Sequence, residues 1–507
     1  MSTTDAARLT EIDNASAPTR VRYEVLVFVC GLSMITYIDR VSFGAAGKEI
    51  AASLGLAGTP DLKWAFVAFS IAYGLFEIPA GWLGDRWGPR GTLIRIVGWW
   101  SVFTALTGLV GLTVGSVTIG GLASLIALRF LFGAGEAGAY PNITRAIHNW
   151  FPIERWEMAQ GMVWMSGRLA GGITPFLWAV LVAGTPYTAP LAWRGVFFLF
   201  GGIGLIWCTL FALRFRNRPA EHPGVNQAEI DLIGVHDAPA PAEASTSLAP
   251  AAAAESIEAS EPVEAETHSV PWRLLATNRS LIALCFMYSL INYGWGFNIT
   301  YLAGYLKDRY TVADSDLWGA LYKGAPLWVG AVGCLVGGMV VNAVTKRLGD
   351  RRLGRQVVCM GALLMCAGCW WFAPSAPDMH WFCLLISLGA FGIDMTLGAA
   401  WASCQDIGRR HAAVVAACMN MIGTFGAAVA GWVTGTIVER TVAAKAVSLG
   451  LAVKALPDVE RRAAEMAGFS TVFSTYAAVY VVAALCWLAI DPRRTVVRTD
   501  KAASSAT

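Results

Sequence analysis

The side chains in this sequence that could do chemistry are ionisable groups set in apolar surroundings. Asp39, Arg40, Glu77, Arg129, Glu136 and Arg168 stand in the first half and Asp394 in the second, with the polar Asn298 and Asn420 in similar settings. An ionisable group at bilayer depth costs about 2.5–3.5 kcal/mol even on lenient insertion scales, so each one marks a function or a satisfied pair. None of the six His is mid-span, which removes the usual neutral-pH proton carrier.

A helical rise of about 1.5 Å per residue sorts these groups by depth. Asp39, Arg40, Tyr73, Arg129 and Asn298 form one layer below the outer face. Glu77, Glu136, Arg168 and Asn420 form a second above the inner face. Arg129 and Glu136 are seven residues apart and share one helical face. On this arithmetic Arg129 pairs with Asp39, and Glu136 is the less compensated carboxylate.

A carboxyl buried without a partner holds its proton more tightly, whereas one beside a guanidinium gives it up. The small residues of 133-GAGEAG-138 let neighbouring helices close in and dry the site. Glu136 is therefore the expected proton carrier and Asp39 a second one, released when Arg129 is drawn away. Fully ionised, these first-half groups carry three positive and three negative charges. Protonating two carboxyls leaves the cavity net positive, which suits an anion, and losing those protons on the inner side releases it. That is proton–anion symport.

Blander readings stand beside this one. Arg129 and Glu136 form a structural membrane pair, Arg40 is satisfied by carbonyls, Glu77 by a hydrogen bond, and Asp394 is structural. Trp295, Tyr293 and Trp401 fill the bundle, or together line a sugar or aromatic ring.

The elements that must position these groups are membrane spans. Of 507 residues only 14% are charged and 56% are hydrophobic, against about 25% charged in a soluble domain. Mean hydropathy is +0.53. A net charge of +3 without a basic run excludes a nucleic-acid partner. The 11 Cys are scattered, and the lone CxxC, Cys366 and Cys369, has no flanking His, so neither a metal nor a cofactor is expected.

Apolar stretches long enough to cross about 30 Å of hydrocarbon recur twelve times, at 23–47, 64–84, 91–112, 122–143, 158–183, 193–213, 281–306, 318–344, 357–372, 381–404, 412–438 and 469–490. The chain reads as an all-α membrane protein of twelve transmembrane helices in two pseudo-symmetric six-helix bundles. A cytoplasmic tail at 1–22 leads to the first bundle at 23–214; a disordered cytoplasmic linker at 215–270, rich in Ala, Pro, Glu and Ser, leads to the second at 271–490; a cytoplasmic tail follows at 491–507. The polar opening residues carry no signal peptide. Lys and Arg concentrate in the loops that share a side with both termini, which places that side in the cytoplasm. The outer segment 440–468 breaks the trend with five basic residues and has room for a small surface helix.

A repeat links the halves. In 81-GWLGDRWGPR-90 the positions Gly81, Asp85 and Arg90 recur at the same offsets as Gly338, Asn342 and Arg347 in 338-GMVVNAVTKR-347. Such a duplication suggests a transporter with its site between the halves.

At this point the chain resembles the major facilitator superfamily, and loop 81–90 resembles its motif between the second and third helices. Further pieces are similar to the anion:cation symporter family of sugar-acid, hexuronate and phthalate permeases and of sialic-acid and vesicular glutamate carriers. They are 37-YIDRVSFGAA-46, 129-RFLFGAGEAGAYPNI-143 with 150-WFP-152, 193-WRGVFFLFGG-202, 218-RPAEHPGVN-226, 406-DIG-408 and 419-MNMIGTFG-426.

The resemblance implies that Asp39 and Glu136 are protonation sites with Arg129 as partner of Asp39, and that Arg40, Tyr73 and Asn420 engage substrate. With Tyr37, Arg168, Asn298 and Trp401 these make up the expected substrate set. Glu77 stands where many members carry Gln, and Arg168 where some offer a neutral polar residue. That additional cation favours either an acid with a second carboxylate or a more acidic cavity. Gly81, Asp85, Arg86, Gly88 and Arg90 are the expected gate, with Asp85 meeting the N-terminus of the eleventh span and the two arginines supplying further gate contacts.

With no HExxH and no Walker A loop, neither an enzyme nor a nucleotide-driven pump is expected. The expected function is a proton-coupled symporter importing a sugar acid, an aldonate or hexuronate, by alternating access. Carriage of aromatic carboxylates or small dicarboxylates, or anion uniport or exchange without protons, remains open. The expected setting is a bacterial inner membrane and a monomer whose partners are the anion, protons and lipid.

Overall fold

The computed structural model describes residues 17–56, 58–184, 189–234, 270–310 and 317–496. Apolar runs that cannot leave backbone groups unpaired in hydrocarbon become helices. Before residue 235 the long ones are α1 (Val21–Ala45), α2 (Lys63–Trp87), α3 (Pro89–Thr107), α4 (Leu122–Glu136), α5 (Ala139–Trp150), α6 (Trp156–Ala183) and α7 (Trp193–Arg214). After residue 269 they are α8 (Arg279–Thr300), α9 (Leu317–Leu348), α10 (Arg351–Phe372), α11 (Met379–Met395), α12 (Leu397–Gly408), α13 (Ala412–Ser448) and α14 (Asp458–Cys486). A two-stranded hairpin, β1 (Leu112–Val114) against β2 (Val117–Ile119), joins α3 to α4.

Ten stretches among the described residues are long and apolar enough to cross a membrane; they take Met379–Ser448 as one and leave out Pro89–Thr107. Large apolar side chains face outward, with Phe176 and Trp432 both 72% exposed, as lipid-facing positions require.

Helix ends follow local chemistry. Asn278 caps α8, Asp350 caps α10 and Asp378 caps α11 through backbone N–H groups. Gly88, at φ +84°, turns the chain between α2 and α3, and Pro89 opens α3 at a position needing no N–H donor.

Two spans are broken at mid-course. The fourth, expected at 122–143, ends as α4 at Glu136, turns through Ala137 and a left-handed Gly138 (φ +82°), and resumes as α5 to Trp150. The tenth, expected at 381–404, breaks at Thr396 between α11 and α12 and runs on to Gly408. Carboxylates stand beside both breaks: Glu136 ends α4 and Asp394 is next to last in α11.

Both ends of the described chain gather at one face, called the terminal face below. The expected linker at 215–270 is ordered over its first part. A short helix, Gln227–Ile233, begins at the Asn226 cap, and the buried Glu229 accepts from Thr19, from the N–H groups of Val21 and Arg22, and from the Arg22 guanidinium at 2.9 Å. Composition missed this because one buried carboxylate, not an apolar core, holds the segment. Residues 235–269 of the expected linker, with 1–16 and 497–507 of the expected tails, lie outside the described residues. At the other chain end the Val496 N–H donates to Ile407 and Asn278 donates to Arg494. Most of the segment 440–468 extends its neighbours, α13 to Ser448 and α14 from Asp458; between them lies one short 3-10 turn, Val453–Ala455, with no buried residue, and Val442, Ala446, Leu456 and Ala464 close the corner.

Candidate functional site

The centre of the first half is built on α1 and α4. Arg40 donates from Nε to Oε1 of Glu136 at 2.6 Å; the arginine side chain keeps 29% exposure and the glutamate has none. Behind Arg40 stand Tyr73, 4.5 Å from ring centroid to guanidinium, and Phe69 at 5.5 Å. Among the described residues, both oxygens of the buried Asp39 lack a hydrogen-bond partner, as does Oε2 of Glu136.

This corrects the expected pairing. Arg129 does not bond Asp39: its guanidinium lies over Phe43, Phe69 and Phe132 at 4.2–4.9 Å, attracted to the ring faces. Asp39, not Glu136, is the less compensated carboxylate, although Arg129, Glu136 and Thr104 remain in its electrostatic surroundings. The two depth layers therefore merge. Depth counted along helix axes ignores the long arginine stem, which carries a charge well away from its Cα.

Across the halves, Asn420 on α13 donates from Nδ2 to Oε1 of Glu77 at 2.6 Å and to the Tyr73 hydroxyl at 3.2 Å, both on α2. Among the described residues, neither Oε2 of the buried Glu77 nor the amide of Asn298 on α8 has a hydrogen-bond partner.

A second cross-half pair is bidentate. Arg168 on α6 donates from Nε and Nη2 to the two oxygens of Asp394 on α11, each at 2.9 Å, and from Nη1 to the Tyr37 hydroxyl at 2.9 Å. Its guanidinium also lies 3.9 Å from the ring centroid of Trp295 on α8. Gly167 and Gly171 make room for Tyr37, since a β-carbon there would stand 2.6 and 2.8 Å from its ring. The additional cation noted in the sequence is thus neutralised within the protein, not left as surplus positive charge. Trp401 is fully buried among Tyr140, Trp164 and Tyr288 and donates to the Tyr288 hydroxyl. It shapes the wall and has no exposed surface for a ligand in this state.

At the terminal face Asp85 accepts from the N–H groups of Ala413 at 3.1 Å and Val414 at 2.8 Å, the free donors that open α13. Gly81 permits this approach, because a β-carbon there would meet the Ala413 carbonyl at 2.7 Å. Gly338 plays the same part on α9, where a β-carbon would meet the Glu157 carbonyl at 2.7 Å. Arg86 and Arg90 differ from expectation. Arg86 is exposed and lies over Trp82, while Arg90 binds the Ala212 carbonyl and its N–H meets Asn217, all within the first half. Gly88 makes the room that Asn217 fills.

Sequence reasoning missed the second closure of this face. Glu157 on α6 receives Arg355 at 2.7 Å and Arg351 at 3.1 Å from α10, and both arginines also meet Asp406 on α12. Arg351 and Arg355 are one helical turn apart, a spacing that puts two charges on one face. That spacing beside Asp350 is the signal the sequence offers.

A family model described as Major Facilitator Superfamily matches residues 29–431. The probable sulfoacetate transporter SauU of Cupriavidus necator is 32% identical over 83% of this chain and 88% of its own. The probable galactarate/D-glucarate transporter GudP of Escherichia coli K12 is 28% identical over 68% of this chain and 72% of its own. The hexuronate transporter of Bacillus subtilis is 26% identical over 82% and 88%. Among solved structures, the human organic anion transporter MFSD10 aligns with TM-score 0.62 at 13% identity over 93% of this chain and all of its own. A bacterial Spinster homologue in an inward-facing, unoccupied conformation aligns with TM-score 0.56 at 18% identity over 95% and 99%.

Proposed function

The chain belongs to the Major Facilitator Superfamily, a family of membrane transporters and not of enzymes, and from that premise we propose that it is a proton-coupled importer of a sugar acid. In this reading it sits in the anion:cation symporter branch, with twelve spans: nine of the ten apolar stretches contribute one each, Met379–Ser448 contributes two and Pro89–Thr107 the remaining one. The bundles at 23–214 and 271–490 rock against each other in the inner membrane, and the terminal face is cytoplasmic.

One observation carries the proposal: the bond from Arg40 to Glu136, between a partly exposed guanidinium and a sealed carboxylate. Glu136 is the built-in anion of Arg40. While it is ionised it competes with any incoming acid. When it is protonated the guanidinium is free, and a substrate carboxylate restores the lost pair. Nη2 of Arg40 is already buried without a hydrogen-bond partner, which leaves a donor for that carboxylate. Asp39, next to Arg40 in the chain and in the electrostatic surroundings of Glu136, is the second proton acceptor.

Proton loss on the cytoplasmic side returns Arg40 to Glu136 and expels the anion. Tyr73, Asn298 and Asn420 supply hydroxyl and amide groups for a polyol chain. Asp85 against α13 and Glu157 against α10 hold the cytoplasmic side shut between cycles.

The test is uptake into proteoliposomes containing the full-length protein, with sulfoacetate, galactonate, glucarate and a hexuronate as probes and internal pH recorded. Concentration of at least one sugar acid, with acidification of the lumen, supports the proposal. Uptake of sulfoacetate alone would move the substrate class to small sulfonates, and uptake without proton movement would end the coupling claim.

A further inference from the structure

The pairing of Arg40 with Glu136 has a counterpart across the halves, Arg168 of the first with Asp394 of the second. Glu136 lies at the break of the fourth span and Asp394 at the break of the tenth. The spacing between them matches, to within one residue, that between Gly81 and Gly338. Each carboxylate is fully buried, and each holds a guanidinium carried by another helix, Arg40 of α1 or Arg168 of α6. Discontinuous spans in corresponding positions of two repeats are where transporters place their binding groups.

The two guanidiniums flank one tyrosine. Tyr37 precedes Arg40 by three residues on α1 and so shares its face, while its hydroxyl accepts from Arg168. The remaining groups around Asp394 are uncharged phenols and thiols: Tyr37, Cys334 on α9, Cys366 on α10 and Tyr480 on α14. Among the described residues Arg168 is thus the charge that Asp394 answers.

We propose that Arg168 is a second anion subsite, occupied by Asp394 in the empty carrier and opened to a substrate's second acidic group when Asp394 is protonated. This rests on the proton-coupled reading of Arg40 and Glu136 and names its substrate class, a dianionic acid spanning Arg40 and Arg168. The step moves one proton onto the Asp394 carboxylate, and the bonds from Arg168 pass from Asp394 to the substrate oxygens.

The charge balance closes. Arg40, Arg129 and Arg168 face Asp39, Glu77, Glu136 and Asp394. Protonating Asp39, Glu136 and Asp394 leaves the three guanidiniums against Glu77 alone, a surplus of two positive charges, which a dianion cancels.

The test is isothermal titration calorimetry on the purified full-length protein with D-gluconate and D-glucarate, six-carbon acids that differ in one carboxylate. The readout is the ratio of glucarate to gluconate affinity at about pH 7.5 and pH 5.5. Protonation of Glu136 and Asp39 strengthens binding of both ligands, the dianion more, so the part of the rise that belongs to Asp394 is the part lost in Asp394→Asn. In the natural protein the ratio rises about tenfold or more on acidification. In Asp394→Asn it is already high at about pH 7.5 and rises much less.

Should that variant not fold, because Arg168 loses its charge partner, the double variant Arg168→Gln/Asp394→Asn removes both charges, and its ratio is low and rises much less on acidification. A ratio in Asp394→Asn, or in the double variant, that follows pH as in the natural protein overturns the proposal. So does natural protein that binds no glucarate, or shows no glucarate preference, at either pH. If gluconate still binds more tightly on acidification in that case, proton coupling at Arg40 stands and only the second subsite falls.

Discussion

Arg40 Nε lies 2.6 Å from Oε1 of Glu136, so the proposed proton carrier and the proposed anion-binding guanidinium are one bonded unit. Protonation and anion binding are then two ways of satisfying the same arginine. Arg40→Ala is expected to abolish transport of every anion, in proton-driven and counterflow modes alike. Arg40→Lys keeps the charge but loses the planar fork, and should lower kcat/KM by about tenfold or more. Uptake rates for the two variants check this, and normal uptake by Arg40→Ala would remove it from the site.

Glu77 differs from Glu136 in its partner. It accepts from the Asn420 amide and pairs with no guanidinium, and the carbonyl of a glutamine would accept equally well. Glu77→Gln should therefore retain proton-driven accumulation within about tenfold, the scale of a neutral hydrogen bond's net worth of roughly 0.5–1.5 kcal/mol. Accumulation ratios under an imposed pH gradient decide it.

How much of this was legible beforehand depends on what sets each feature. An all-helical membrane fold follows from apolar run length, and ten apolar stretches among the described residues overlap the expected spans, with ends that shift by up to about ten residues. The identities of Asp39, Arg40, Glu136 and Arg168 were visible because charge in hydrocarbon is expensive. Their pairing was not. Whether Arg129 bonds Asp39 or rests on Phe43, Phe69 and Phe132 depends on side-chain reach and ring placement across three helices, which one-dimensional depth does not encode. The contact of Asp85 with α13 was readable because a helix N-terminus offers donors wherever it lies. Glu157 was not legible because its partners, Arg351 and Arg355, lie on a helix far away in sequence and share Asp406 of yet another.

The small residues beside Tyr37 give a stability prediction. Gly167→Ala and Gly171→Ala each push a β-carbon against the Tyr37 ring, and overpacking of this kind costs about 1–3 kcal/mol. Thermal melting of the purified variants should show lowered midpoints. Gly361→Ala on α10, where nothing lies within 4 Å of the new carbon, should melt like the natural protein.

Glu157→Gln takes the charge from a buried network in which Arg355 and Arg351 remain. Removing one partner of a buried pair costs about 3–5 kcal/mol, here taken from the closed form of the terminal face. Distances between spin labels on α6 and α10 near that face should shift toward a longer population in Glu157→Gln. An unchanged distribution would assign the network to folding alone.

The account turns on Glu136 as a proton-operated counter-anion, and Glu136→Gln examines that most directly. The variant should exchange labelled substrate by counterflow across proteoliposome membranes yet fail to concentrate it under an inward proton gradient. Concentration at the natural level under the same gradient would contradict the account.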